Sequence, residues 1–251
     1  MNSILITGAS RGIGRSIAIQ AARSGLYNRI IVNCIKNESM LRSVRDEVQE
    51  ILDTFPSDHF SGEDVLCLMS VGDTGDISYV ETLHKETGPV NVLINNASIS
   101  ITGLFIDMSN EQWDSIIRTN LTSVYNTCHT FVPDMINDKK GKILNISSVW
   151  GLVGASCEVA YSAAKGAVNA FTKALAKELA PSNIQVNALA LGIVDTEMNS
   201  NLTNEDLDAI KEDIPAGYIM SPDEAAIAAL KLLDMPDYFT GEVVKLDGAW
   251  I

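Results

Sequence analysis

The stretch that decides the fold is SILITGASRGIG, Ser3 to Gly14, which runs without a break into RSIAIQAAR, Arg15 to Arg23. Its apolar start reads as a strand at Ile4–Thr7, glycines at 8, 12 and 14 make a tight turn, and a helical pattern begins at Gly12. Such a turn lets backbone approach a phosphate group, whose charge the helix N-terminus stabilises. The spacing is G-x-x-x-G-x-G rather than G-x-G-x-x-G, and tight geometry alone can also call for glycines in a strand–helix turn.

The same alternation continues outward from this unit. Further strands are expected at Ile30–Asn33, Val65–Met69, Val92–Asn95, Lys142–Ile146, Gln185–Leu189 and Glu242–Lys245. Helices are expected at Gly12–Arg23, Met40–Phe55, Ile77–Thr87, Glu111–Asn137, Ala160–Leu179, Glu205–Glu212 and Asp223–Leu233. Short apolar strands alternating with helices mean α/β: a doubly wound, Rossmann-type parallel sheet of about seven strands with helices on both faces. No linker or repeat divides residues 1–251, so a single domain is expected, with the polar segment 192–217 as a flap over the strand ends.

The 251 residues are 46% apolar with net charge −14, enough chain for one core without disulfides or structural metal. So acidic a chain repels phosphate backbones and anionic membranes, so neither nucleic acid nor membrane is an expected partner. From Asp195 to Ile251 there are 13 acids against 3 lysines, which makes the flap region the most acidic part. Cys34, Cys67, Cys128 and Cys157 form no C-x-x-C pair and read as free thiols, with no metal site. No basic leader or long apolar run is present, which points to the cytoplasm.

The second strand ends Asn33-Cys34-Ile35-Lys36, without the acid that would accept from the 2′-hydroxyl of NAD. Arg11 and Lys36 could instead meet a 2′-phosphate, so NADPH is favoured and NADH not excluded. Farther along, Tyr161 and Lys165 lie four apart on one helix face, where an ammonium near a phenol favours phenolate. Ser148 ends the fifth strand, 13 residues before Tyr161.

Taken in order, Thr7-Gly8-x-x-x-Gly12-x-Gly14, Asn95-Asn96-Ala97, Asn120, Ser148, Tyr161-x-x-x-Lys165 and Thr240-Gly241 resemble the short-chain dehydrogenase/reductase family over essentially the whole chain. That resemblance implies a catalytic set. Tyr161 would donate the proton to a carbonyl, Lys165 would lower its pKa and hold the nicotinamide ribose, Ser148 would polarise the carbonyl, and Asn120 would seat a relay water through its backbone. It implies a cofactor site of Gly8, Ser10, Arg11, Gly12, Ile13, Gly14, Cys34, Lys36, Ser70, Val71, Asn96, Ala97, Tyr161, Lys165, Gly192, Val194 and Thr196. Ser148, Trp150 and Cys157 would line the substrate pocket. Three positions depart from the family pattern: Leu191 for the proline after the sixth strand, Ser70 where an Asp or Asn is common, and Ser98 for a glycine.

Within the family the chain is most similar to bacterial 3-oxoacyl-[acyl-carrier-protein] reductases, whose ketone is carrier-linked. Basic residues dock that carrier; Lys139 keeps one such position, but Ser182 stands where a second base is common. The segment from Ser148 to Tyr161 also looks like a branch that reduces an aminopentanone on elongation factor P, which Glu158 and an acidic flap would suit. A hydroxysteroid or other bulky ketone is a further alternative, and a cofactor-sensing module without catalysis is the reading from another class. Finally, Trp250 and Ile251 are apolar at a tail, where burial is worth roughly 1.5–3 kcal/mol each. A partner surface is therefore expected; the resemblance implies a two-axis homotetramer, the alternative being that Trp250 folds back on its own subunit.

Overall fold

A computed structural model describes residues 2–56, 58–61, 63–200 and 202–251. Seven strands form one parallel sheet: β1 (Ser3–Ile6), β2 (Arg29–Cys34), β3 (Leu66–Val71), β4 (Val92–Asn95), β5 (Gly141–Ser148), β6 (Ile184–Leu191) and β7 (Val243–Leu246), in the order β3-β2-β1-β4-β5-β6-β7. The chain winds outward from β1 to one edge, then returns to β4 and winds to the other. The crevice at the C-terminal ends of β1 and β4 is therefore a topological switch point, where α/β sheets bind ligands.

Alternating side chains supply both cores. Ile4, Ile6, Ile30, Val32, Ile94, Leu144 and Ile146 face α1 (Gly12–Arg23), α2 (Glu38–Leu52) and α9 (Pro222–Leu233). Leu5, Ile31, Leu93, Ile143 and Val186 face α3 (Ile77–Thr87), α5 (Ser123–Asp138) and α7 (Val159–Leu179). Between the elements lie α4 (Asn110–Ile117), α6 (Trp150–Val153) and α8 (Asn204–Asp213). Burial on both faces is the reason these strands read as near-continuous apolar runs.

Three expectations need correction. The helix expected over Glu111–Asn137 is α4 and α5 joined by a π-helical turn at Arg118–Thr122, which holds Asn120. β6 runs on through Leu191, in register with Ser148 on one side and Leu246 on the other, because leucine keeps the N–H that a proline would lack. Trp250 is half-buried against Trp150 of its own chain, ring centroids 5.2 Å apart, so it does not need a partner surface to leave water. The flap segment is fastened by a parallel bridge between Val194 and Met220, then carries a short 3-10 turn at Glu197–Asn199 and the helix α8. Among the described residues no helix is long and apolar enough to cross a membrane.

Candidate active site

The site gathers at the C-terminal edge of the sheet. After β1, the glycine turn is braced by Asn96, whose Nδ2 donates to the carbonyls of Thr7 at 2.9 Å and Gly8 at 3.0 Å. Thr7 Oγ1 accepts from the amides of Asn96 and Ala97, both at 3.0 Å. A Cβ on Gly8 would lie 2.7 Å from Ala97 Cα, and Gly8 holds a left-handed φ of 65°. A Cβ on Gly14 would overlap the Gly8 carbonyl. Glycine is thus required for close approach, not only for flexibility.

This turn delivers α1 with its first amides unsatisfied by any side chain. Arg11 sits at the N-cap without capping, and the first turn contains no acid. A cradle that side chains would fill, ending in open N–H donors, fits the pyrophosphate of a dinucleotide. Ser10 is buried beside it, Ile13 packs onto the sheet, and Thr196 of the flap lies against Gly12. The Arg11 guanidinium is ion-paired with Glu197 of the flap.

At the C-terminal end of β2 Cys34 is buried, Lys36 is exposed, and the Asn33 carbonyl accepts from Ala9 N at 2.8 Å. The Ser70 hydroxyl is engaged with Tyr79 OH at 2.7 Å, and Tyr79 OH also accepts from Asn33 Nδ2 at 2.8 Å. Val71 beside them is exposed. Across the cleft, Gly192 N donates to the Leu246 carbonyl at 2.9 Å, and Asn199 Nδ2 to the Val194 carbonyl at 2.8 Å.

At the chemical end the structure brings Ser148, Tyr161 and Lys165 together, all buried. Burial pushes the Tyr161 phenol up to about 12; the Ser148 hydroxyl pulls it back, the Glu158 charge raises it further, and the Ser98 hydroxyl lowers it. Burial pulls the Lys165 ammonium down to about 8. Its Nζ donates to the Ile146 carbonyl at 2.8 Å and lies 5.6 Å from the centre of the Tyr161 ring. Desolvation is the largest influence on the phenol in this arrangement, and the Lys165 ammonium lies over the Tyr161 ring and is bound to backbone.

Asn120 sits 1% exposed, and its side chain clamps Ile99 from both sides, accepting from Ile99 N and donating to Ile99 O, each at 2.8 Å. The π turn breaks the regular backbone ladder there, as such turns do at functional sites. Ser148 Oγ accepts from Trp150 N at 3.1 Å, and Trp150 leads on to Trp250. Cys157 lies in the loop before α7 with a left-handed φ of 62°, its carbonyl held by Gly103 N.

Sequence reasoning missed a buried polar ladder behind the site. Thr127 Oγ1 donates to Asn95 Oδ1 at 2.7 Å, Asn95 Nδ2 to Asn145 Oδ1 at 2.9 Å, and Asn145 Nδ2 to Thr172 Oγ1 at 2.8 Å. It ties α5 to α7 through the sheet. Its signal was an asparagine in each of two strands, and only their register shows that the two meet. Among the described residues no cluster of His, Cys, Asp and Glu could hold a metal ion.

The sequence profile of the short chain dehydrogenase family matches residues 2–207. The chain belongs to that family. It is 35% identical to the uncharacterized oxidoreductase YmfI of Bacillus subtilis, over 98% of this chain and 97% of that one. It is 36% identical to the 3-oxoacyl-[acyl-carrier-protein] reductase FabG of Chlamydia muridarum, over 99% of each, and 34% identical to that of Thermotoga maritima, over 98% and 96%. This short chain dehydrogenase is an oxidoreductase acting on CH–OH and C=O groups, and its membership implies a nicotinamide cofactor.

Proposed function

We propose that this chain reduces a ketone to a secondary alcohol with NADPH, Tyr161 giving the proton. The observation that supports it most is the buried Tyr161 phenol faced by the Ser148 hydroxyl at the end of β5, with Lys165 behind it. When bound, the nicotinamide supplies the hydride. Ser148 orients the carbonyl and Tyr161 Oη protonates its oxygen. Lys165, whose ammonium is bound to the Ile146 carbonyl, would hold the nicotinamide ribose, and Asn120 fixes the loop at Ile99. Arg11, which is ion-paired with Glu197, and the exposed Lys36 would hold the 2′-phosphate of NADPH. Residues 1–251 act as one cofactor-binding unit, in the cytoplasm, with segment 192–217 as the flap.

The ketone we favour is a 3-oxoacyl thioester, on the strength of the named reductases. An aminoketone is the second reading, because Glu158 places a carboxylate close enough to Tyr161 to influence it and is hydrogen-bonded by Ser100. A homotetramer is the proposed assembly; Tyr125 on α5 and Ile227 on α9 expose apolar surface for it, and light scattering tests it.

In a panel of 3-oxoacyl thioesters and aminoketones with both cofactors, Tyr161→Phe should lower reduction by at least about 10²-fold while NADPH binding, followed by fluorescence, survives. Turnover retained in that variant refutes the proton-donor role.

A further inference from the structure

Among the described residues three buried side-chain polar atoms lack a hydrogen-bond partner: Arg29 Nε, Gln185 Oε1 and Ser98 Oγ. The first two belong to the N-terminal ends of β2 and β6, away from the site. Ser98 follows the C-terminal end of β4, at the catalytic edge. A buried hydroxyl without a partner costs stability, and such a cost asks for a reason.

The surroundings fix where this hydroxyl sits. Ile99 is clamped by Asn120, and Ile99 and Ile101 pack on Ile116, Ala160 and Ala164, the last two from the first turns of α7. Ser100, one residue on from Ile99, bonds Glu158 at the N-terminus of α7. Residues 98–101 are thus fastened along the start of the helix that carries Tyr161, which brings the Ser98 side chain within reach of the phenol. Its side chain favours the ionised form of that phenol, as Ser148 does. Ser148 Oγ already accepts from Trp150 N, whereas Ser98 Oγ has no commitment elsewhere.

We propose that Ser98 is a positioning residue for the proton transfer: its hydroxyl donates to Tyr161 Oη as that oxygen gives its proton to the substrate carbonyl. The phenol O–H bond breaks, the new O–H bond forms on the alcohol, and the electron pair left on Tyr161 Oη accepts from Ser98, which keeps its own proton. This inference rests on Tyr161 being the proton donor.

The test is Ser98→Ala beside Tyr161→Phe, using whichever ketone of the panel turns over and its alcohol. In Ser98→Ala, alcohol oxidation should reach half its plateau about one pH unit higher than in the wild type. Oxidation at pH 7 should then fall about tenfold. Tm should stay level or rise, because the deleted hydroxyl had no partner to lose. A wild-type pH profile in Ser98→Ala overturns the inference, as does a lowered Tm with the profile unmoved, which marks a purely structural serine. Activity retained in Tyr161→Phe overturns instead the reading on which it rests.

Discussion

Two helices that pack against each other on one face of the sheet begin in opposite ways. α9 opens with Ser221, whose hydroxyl accepts from Glu224 N at 3.2 Å while the Glu224 carboxylate accepts from Ser221 N at 2.9 Å; Pro222 occupies the first turn and Asp223 adds negative charge. A capping box, a proline in the first turn and first-turn acids, three devices that stabilise a helix start, are all there. α1 opens on glycines with an uncapped arginine and no acid. The neighbours share a core, so packing does not explain the contrast. A helix start left open in this way is one that an anionic ligand can cap.

The comparison fails if such departures at the site carry no cost, and Lys165 offers the largest effect. Its ammonium titrates at about 8 in the folded chain against 10.5 for an ordinary lysine. Between those values the unfolded chain binds more protons, so stability climbs with pH from 8 to 10.5 and the penalty is full below 8. Lys165→Met lacks this titration. The wild type should gain on it by roughly 3 kcal/mol across that window, read by chemical denaturation at stepped pH. A constant difference would mean the ammonium is not desolvated.

Transplanting the device sharpens the contrast directly. Arg11 already has the extended backbone of an N-cap, φ −160° and ψ 176°, so Arg11→Asp can cap α1 as Ser221 caps α9. Thermal stability should rise, while NADPH affinity falls at least about tenfold through loss of a charge-assisted bond worth about 1.5–3 kcal/mol. Unchanged affinity in a fluorescence titration would show that Arg11 and the α1 terminus are not the phosphate site. The smallest effect is the converse one. Ser221→Ala should cost about 1 kcal/mol, a Tm drop of about 2–4 °C, and leave NADPH affinity alone; a weakened Kd would erase the division between the two helix starts.

Much of this was legible in the sequence, because the signals are local. α1, α3 and β4 match their expected bounds residue for residue, since glycines, caps and turn residues punctuate them. Family membership and the reaction class, too, could be read from motifs with fixed spacing. The π turn around Asn120 was not legible: α4 and α5 keep helical periodicity on either side, and one widened turn leaves no mark in the apolar pattern. Nor was the pairing of Ser100 with Glu158 or of Trp150 with Trp250, which joins residues 58 and 100 positions apart. Such pairs depend on how strands and loops are brought into register, which only the folded chain shows.

The tryptophan pair has an optical consequence. The chain has three tryptophans, and two of them, Trp150 just after Ser148 and Trp250 one residue from the end, lie 5.2 Å apart with their planes inclined at 59°. Indole transition moments that close and that inclined couple chirally. The paired circular-dichroism band that follows is expected only while Trp250 is seated beside Trp150, so it would read out whether the C-terminal segment lies against the end of β5.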